Sequence, residues 1–297
     1  MRDNLEDYRK PLLSKKKEKL LKRFLHNRFT CAVEDLTLSL LRPMPMTPVN
    51  DVELKVLGMR RSGNHAILTW ILRSANTGMP DKDHIFLNNC KLIENAYRLQ
   101  SDYRSPEYSN EEYSLIKERR NRSYRKTGVL IRSFEDFDTM AFRTPENQAY
   151  YGRSRKKITA TILRDPLNLF ASRIKVGYIE AKTKLSLIDL YLDNARALDD
   201  SSFEHPILYN KWLLSQNYRS DLLVLLGITG PDIHDDKPAR FGPGSSFQKQ
   251  ESPLHSQDLL SRWIEFRHDP WFAREILGNT ALMAIIEQYF PEILSTY

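Results

Sequence analysis

The residues Leu57-Gly58-Met59-Arg60-Arg61-Ser62-Gly63-Asn64-His65-Ala66 have types and a spacing suited to holding an anion. The apolar run Leu54 to Leu57 precedes them, and Asn64 to Ser74 follows with Ile67, Trp70 and Ile71 on one helical side. A strand, a tight turn and a helix start are expected. In that arrangement the backbone N–H groups of residues 61 to 65 converge at the positive end of the helix dipole. Gly58 and Gly63 match the glycines of the nucleotide-triphosphate loop G-x-x-x-x-G-K-[ST], but Asn64 stands at the lysine and His65 at the magnesium-binding hydroxyl. A triphosphate with Mg²⁺ would lose both its cation clamp and its metal ligand. Arg60 and Arg61 put charge earlier in the loop, which suits a phosphate held without a metal. An ordinary glycine turn with solvated arginines is the plainer alternative.

A second group of residues lies about a hundred positions on, in Ile158-Thr159-Ala160-Thr161-Ile162-Leu163-Arg164-Asp165-Pro166. A β-rich run ends in Arg164, Pro166 takes the first helical position where its missing N–H costs nothing, and Ser172 falls eight residues after Arg164. An arginine at a strand end can hold an anion in bidentate fashion. A salt bridge between Arg164 and Asp165 is the alternative for the arginine alone.

The elements that position these residues alternate. Strands are expected at 54–57, 84–88, 128–132, 158–163 and 206–209, and helices at 64–74, 166–178, about 212–226 and over much of 256–297. Strands separated by helices favour a three-layer α/β fold with a mainly parallel sheet of about five strands and ligand at the carboxyl ends of the strands. Residues 51–297 form that domain. Residues 1–50 form a basic helical extension and a proline-rich linker, Arg42 to Asn50.

The two constellations together resemble the sulfotransferases that use 3′-phosphoadenosine 5′-phosphosulfate (PAPS). In that family a strand-loop-helix binds the 5′-phosphosulfate, and here Arg61-Ser62-Gly63-Asn64-His65 falls on it, with arginine at the lysine position and Asn-His for two threonines. The resemblance implies that Arg61 stabilises charge on the bridging oxygen as the bond to sulfur breaks, as a planar fork instead of a point charge. It implies that Arg164 and Ser172 hold the 3′-phosphate, that Tyr209 approaches the adenine, and that the loop with Ser245, Ser246 and Phe247 closes over the nucleotide between Arg240 and Lys249. Arg60, Ser62, Gly63, Asn64 and His65 complete the cofactor set. The cofactor implied is PAPS, with 3′,5′-ADP (PAP) as product and no metal.

Transfer to a hydroxyl or amine needs a general base opposite the leaving phosphate. In the family this group follows the strand that is here 128–132, where Ser133-Phe134-Glu135-Asp136 continues the chain. Glu135 is the first candidate, Asp136 the second and His65 the third. A solvated acidic turn is the competing reading, and Arg132 is a candidate for the transferring sulfuryl oxygens. Acceptor lining is expected from Asn88, Asn89 and Cys90 and from the Tyr- and acid-rich insertion 97–124, which reads equally as an exposed helical insertion. The R-R-S-G-N-H loop is similar to that of bacterial small-molecule sulfotransferases, such as those tailoring guanidinium alkaloids of saxitoxin type, in natural-product biosynthesis.

Composition sets the outer bounds. The 297 residues carry 45 Lys+Arg and 38 Asp+Glu, a net charge of +7, and 41% are hydrophobic, which excludes a collagenous, mucin-like or largely disordered chain. Residues 1 to 28 hold ten bases and four acids, so nearly the whole excess is N-terminal. Leu20, Leu21, Phe24, Leu25 and Phe29 give that segment helical spacing, as a basic helix packed on its own domain or docked on a membrane or nucleic acid. Two cysteines suggest a reducing, cytoplasmic setting, and neither a secretory leader nor a membrane span is expected. The expected partner is a small-molecule acceptor, not a nucleic acid, with the oligomeric state undetermined. A phosphotransferase on a degenerate phosphate loop and a non-enzymatic adaptor acting through the basic N-terminus are the alternatives.

Overall fold

Strand β1 (Asn50–Gly58) alternates so that Val52, Leu54 and Val56 enter the main apolar core while Glu53 and Lys55 take the opposite face. The computed structural model describes residues 46–88, 90, 100–103, 111–113, 126–143, 152–179, 184–199, 205–234 and 259–296, with four helical positions between 33 and 40. The expected helix 13–29, Asn89, and the loop with Arg240, Ser245, Ser246, Phe247 and Lys249 lie outside the described residues.

β1 lies inside a seven-stranded sheet with β2 (Asp83–Asn88), β3 (Gln100–Tyr103), β4 (Glu111–Tyr113), β5 (Thr127–Glu135), β6 (Ser154–Leu163) and β7 (His205–Leu208), in the order β4-β3-β2-β5-β1-β6-β7. β2, β5, β1, β6 and β7 are parallel, whereas β3 pairs antiparallel with β2 and β4 with β3. Helices flank the sheet, so the α/β class with a five-stranded parallel centre is as expected. The polar insertion differs from its reading as a helical insertion: its QSDY and EEY segments form two short strands, the second at the sheet edge. Neither segment has an apolar alternation to mark it; β3 forms by pairing with β2 and β4 by pairing with β3.

β5 is also longer than expected. Thr127 to Phe134 are all buried, and β1 pairs with β5 as far as Gly58 opposite Glu135. Ser133 and Glu135 hid this extension. Arg132, expected near the reacting group, faces Glu53: its Nη2 donates to Oε1 at 2.7 Å, and Ser154 Oγ donates to the other carboxylate oxygen at 2.6 Å. Both charges are buried, so this is a closed structural ion pair, and loss of one member would cost about 3–5 kcal/mol.

Helix α1 (Asn64–Gly78) packs on β2 and β5. The short α2 (Thr139–Arg143) follows β5, with Thr139 N donating to Asp193 Oδ2 at 2.9 Å. Helix α3 (Pro166–Lys175) starts with Pro166 at its first position and Asp165 as cap, whose Oδ1 accepts from Asn168 N at 2.8 Å. It ends at Lys175, three residues before the expected Tyr178, because Gly177 turns left-handed (φ 71°) and Tyr178 N bonds back to Arg173 O.

Helix α4 (Lys184–Arg196) packs against β6 and against α7 (Thr280–Tyr289). The helix expected at 212–226 is two helices, α5 (Tyr209–Leu214) and α6 (Gln216–Leu225). Ser215 breaks it with extended backbone, and its Oγ accepts from Tyr218 N at 3.2 Å to cap α6. Tyr209 therefore opens a helix and does not end a strand. The C-terminal part is less regular than a plain helix, with a 3₁₀ turn at Arg262–Phe266, a π turn at Phe272–Leu277, α7, and a 3₁₀ turn at Pro291–Thr296. No described helix is long and apolar enough to cross a membrane.

Candidate active site

The loop between β1 and α1 is built by its own side chains. Ser62 N donates to Met59 O at 3.1 Å, closing a turn, and Arg61 sits in the left-handed region at φ 75°. One of the five N–H groups expected to converge on an anion, that of Ser62, is thus spent inside the loop. Asn64 folds back over it: its Oδ1 accepts from Ser62 Oγ at 2.7 Å, and its Nδ2 donates to Met59 O at 3.3 Å and to Glu135 Oε1 at 3.1 Å. This is why residue 58 is glycine, since a Cβ there would lie 2.3 Å from Asn64 Oδ1. Gly63 has φ 92° and precedes α1 with no side-chain cap, so the first turn keeps N–H groups without intrahelical acceptors. A Cβ on Gly63 would lie 2.2 Å from the ring of Tyr209.

The second constellation meets the first directly. Arg61 Nε donates to Ser172 Oγ at 3.0 Å, and Arg164 Nη1 donates to Arg61 O at 3.1 Å. Arg164 Nη2 reaches Leu259 O at 3.2 Å, its guanidinium carbon stands 4.9 Å from the centre of the Tyr209 ring, and Tyr191 Oη donates to Arg164 O at 2.9 Å. Arg164 and Ser172 are buried, and Arg164 Nε has no hydrogen-bond partner among the described residues. The salt bridge between Arg164 and Asp165 does not form; Asp165 turns inward to cap α3, and burial pushes its carboxyl above the usual carboxylate range. Burial, and then the guanidinium of Arg164, lower the pKa of Arg61. Two guanidinium groups held together this way favour an anion between them.

The acidic candidates divide. Glu135 is the last residue of β5, opposite Gly58; its Oε1 accepts from Asn64, and its Oε2 lies 3.7 Å from Arg60 Nε. Asp136, left-handed at φ 59°, donates its N–H to Gly58 O and accepts the N–H of Arg60 at Oδ1, 3.0 Å away. Its carboxylate also takes both terminal nitrogens of Arg173, at 2.8 and 3.2 Å. Asp136 is thus a structural anion with its lone pairs engaged. His65 is held neutral chiefly by burial, opposed by Glu135 and aided by Arg61. Its Nε2 lies 3.4 Å from Asn88 Nδ2, while Asn88 Oδ1 accepts from Ser133 Oγ at 2.9 Å. With that amide orientation Nε2 accepts, and the ring proton belongs on Nδ1. Cys90 is buried, its thiol pointing to Leu87 O at 3.4 Å.

No family model matches the sequence, and no curated protein matches it. Among solved structures, the sulfotransferase domain of the olefin synthase of Synechococcus PCC 7002 aligns at 10% identity with a TM-score of 0.46, over 83% of this chain and 97% of that one.

Arg61, Asn64, His65, Glu135, Arg164, Ser172 and Tyr209 are thus gathered at the carboxyl ends of β1, β5, β6 and β7. Arg173 and Tyr191 were not singled out from the sequence. Arg173 carried a signal, since it adjoins Ser172. Tyr191 carried none, being one aromatic residue on an amphipathic helix.

Proposed function

We propose that the chain is a PAPS-dependent sulfotransferase that moves a sulfuryl group to a hydroxyl or amine of a small molecule, a guanidinium alkaloid being one candidate. The observation that carries this reading is the pair of hydrogen bonds Arg61 Nε to Ser172 Oγ and Arg164 Nη1 to Arg61 O. They bring two sequence signatures, 111 and 103 residues apart, to a single cationic corner beside an uncapped helix start. The residues fit the donor nucleotide: the corner offers a buried guanidinium whose Nε–H has no partner among the described residues, a buried serine hydroxyl and the first-turn amides of α1.

Arg164 and Ser172 hold the 3′-phosphate. The amides at the start of α1, with Arg61, hold the 5′ end, and the donor supplies the sulfuryl group to be transferred. Arg61 spans the two corners, so its fork both contacts Ser172 and favours the charge that develops on the leaving side. The Tyr209 ring lies 4.9 Å from the guanidinium carbon of Arg164 and close over Gly63. Glu135 takes the acceptor's proton at Oε2, its other oxygen being held by Asn64. His65 stays neutral beside it and contacts the loop ligand.

Calorimetry with 3′,5′-ADP, and with ATP plus Mg²⁺, tests the donor. Metal-independent binding of 3′,5′-ADP is expected; ATP binding that requires Mg²⁺, with none of 3′,5′-ADP, would replace this reading with a phosphotransferase. Sulfuryl transfer from PAPS to a panel of alcohols, amines and guanidinium alkaloids then identifies the acceptor class.

A further inference from the structure

The peptide groups of Arg60 are pinned on both sides by one ion pair. Its N–H is accepted by Asp136 Oδ1 at 3.0 Å, and its carbonyl accepts from Arg173 Nη1 at 3.1 Å. Arg173 also grips Asp136 in a fork, Nη1 to Oδ1 at 2.8 Å and Nη2 to Oδ2 at 3.2 Å. The arginine side chain is 3% exposed and the aspartate side chain 21%. A guanidinium so deeply buried on a helix, paired with a loop carbonyl and with the carboxylate that directly follows β5, is costly unless the geometry repays its desolvation.

The next residue, Arg61, is in the left-handed region, which is strained for a non-glycine residue. Asp136 is left-handed as well. Such strain persists only where the surroundings over-determine it. Here Asp136 N to Gly58 O fixes the start of the loop, and the Asp136–Arg173 pair fixes Arg60, so the chain must turn left-handed at Arg61 before Ser62 closes on Met59. Two adjacent rungs then join the loop to α3, Arg60 O to Arg173 and Arg61 Nε to Ser172 Oγ.

We propose that Asp136 and Arg173 are positioning residues, whose ion pair sets the loop conformation that aims Arg61 at Ser172 and opens the helix start to the donor's phosphates. The second half of this statement rests on the donor reading above; the first half does not. A side chain on α3 that reaches the loop carbonyl of Arg60 performs what the lysine of a triphosphate loop does not, because it acts on the backbone of the loop and not on the ligand.

Arg173→Lys keeps the charge but cannot span a carbonyl and two carboxylate oxygens, and Asp136→Asn keeps one acceptor. Amide hydrogen exchange on the full chain without ligand is the first measurement, with Arg173→Gln as a second variant should Lys prove too disruptive. At least tenfold faster exchange of the Arg60 and Ser62 amides is expected in each variant, with strands β1 and β5 protected as in the wild type. Unchanged loop exchange, or a uniform loosening of loop and strands alike, would overturn the positioning role. Calorimetry with 3′,5′-ADP is the second measurement, in which each variant should bind at least tenfold more weakly. In turnover with PAPS, the KM for the donor should rise while the KM for the acceptor holds. If the wild type binds no 3′,5′-ADP, the donor reading fails while the exchange result still decides the clamp; if the wild type binds it and the variants bind equally well, the clamp's link to the donor fails.

Discussion

Arg61 Nε and Ser172 Oγ lie 3.0 Å apart, although 111 residues separate them in sequence. The contact ties the turn after β1 to the second turn of α3, and Arg164 closes the same corner by donating to the carbonyl of Arg61. Each group that could touch an anion there also holds another in place. Substitutions at this corner therefore act on binding and on the loop together.

Replacing Arg164 by alanine removes a buried fork from two carbonyls, Arg61 O and Leu259 O, as well as from the ligand. We expect 3′,5′-ADP affinity to fall by about 1.5–3 kcal/mol, the range for a charged hydrogen-bond partner. Calorimetry reads this directly, and near-wild-type affinity would remove Arg164 from the site. Thermal denaturation of the same variant should show a lowered Tm, because both carbonyls lose their donor.

Gly63→Ala should be poorly tolerated. Its φ of 92° disfavours any side chain, and the new Cβ would stand 2.2 Å from Tyr209. The left-handed backbone alone costs about 1 kcal/mol, and the clash adds to it. In the double variant Gly63→Ala/Tyr209→Ala the clash is gone, so the combined loss measured in urea should be smaller than the sum of the single losses. Additive losses would mean the ring does not confine the loop.

For Glu135→Gln we expect turnover on the order of 100-fold lower or more, with 3′,5′-ADP affinity kept. The amide oxygen of Gln can still accept from Asn64 Nδ2, so loop geometry is preserved in the comparison. Retained turnover would shift the proton-accepting role to His65.

Stability should depend on pH through two histidines. Burial lowers the pKa of both His65 and His84 in the folded chain. The unfolded chain therefore binds protons that the folded chain does not once the pH falls below about 6.5, the ordinary histidine value. Their contribution is fully present above that pH and is lost as the pH falls toward the depressed folded values. Urea midpoints between pH 8 and 5 should drop less steeply in His65→Asn and His84→Asn than in the wild type; parallel curves would show that neither ring is held neutral by the fold.

Much of the fold was legible in the sequence because its signals are local. Short β-rich runs around Leu54, Ile85, Leu130, Ile162 and Ile207, with Pro166 as a helix start, placed the five parallel strands and most helices. The strands Gln100–Tyr103 and Glu111–Tyr113 were not legible, since their polar residues form strands only where a neighbour offers a partner, β2 for the first and the first strand for the second. Nor was the break at Ser215, where capping of α6 outweighs helical continuity.

At the candidate site, residue type and spacing pointed to Arg61, Asn64, His65 and Arg164, and the family resemblance added Ser172, Tyr209 and Glu135. Their division of labour came from tertiary structure. Arg132 and Arg164 both sit at or near the ends of β-rich runs in the sequence, yet one is closed in an ion pair with Glu53 and the other meets the phosphate loop. Asp136 and Glu135 are adjacent, yet one is gripped by both terminal nitrogens of Arg173 while the other accepts from Asn64 and leaves Oε2 beside Arg60. Local sequence determines backbone conformation because sterics and capping act over a few residues. Which charge pairs with which depends on strand register and helix packing, which bring together groups a hundred residues apart, and only the folded chain decides that.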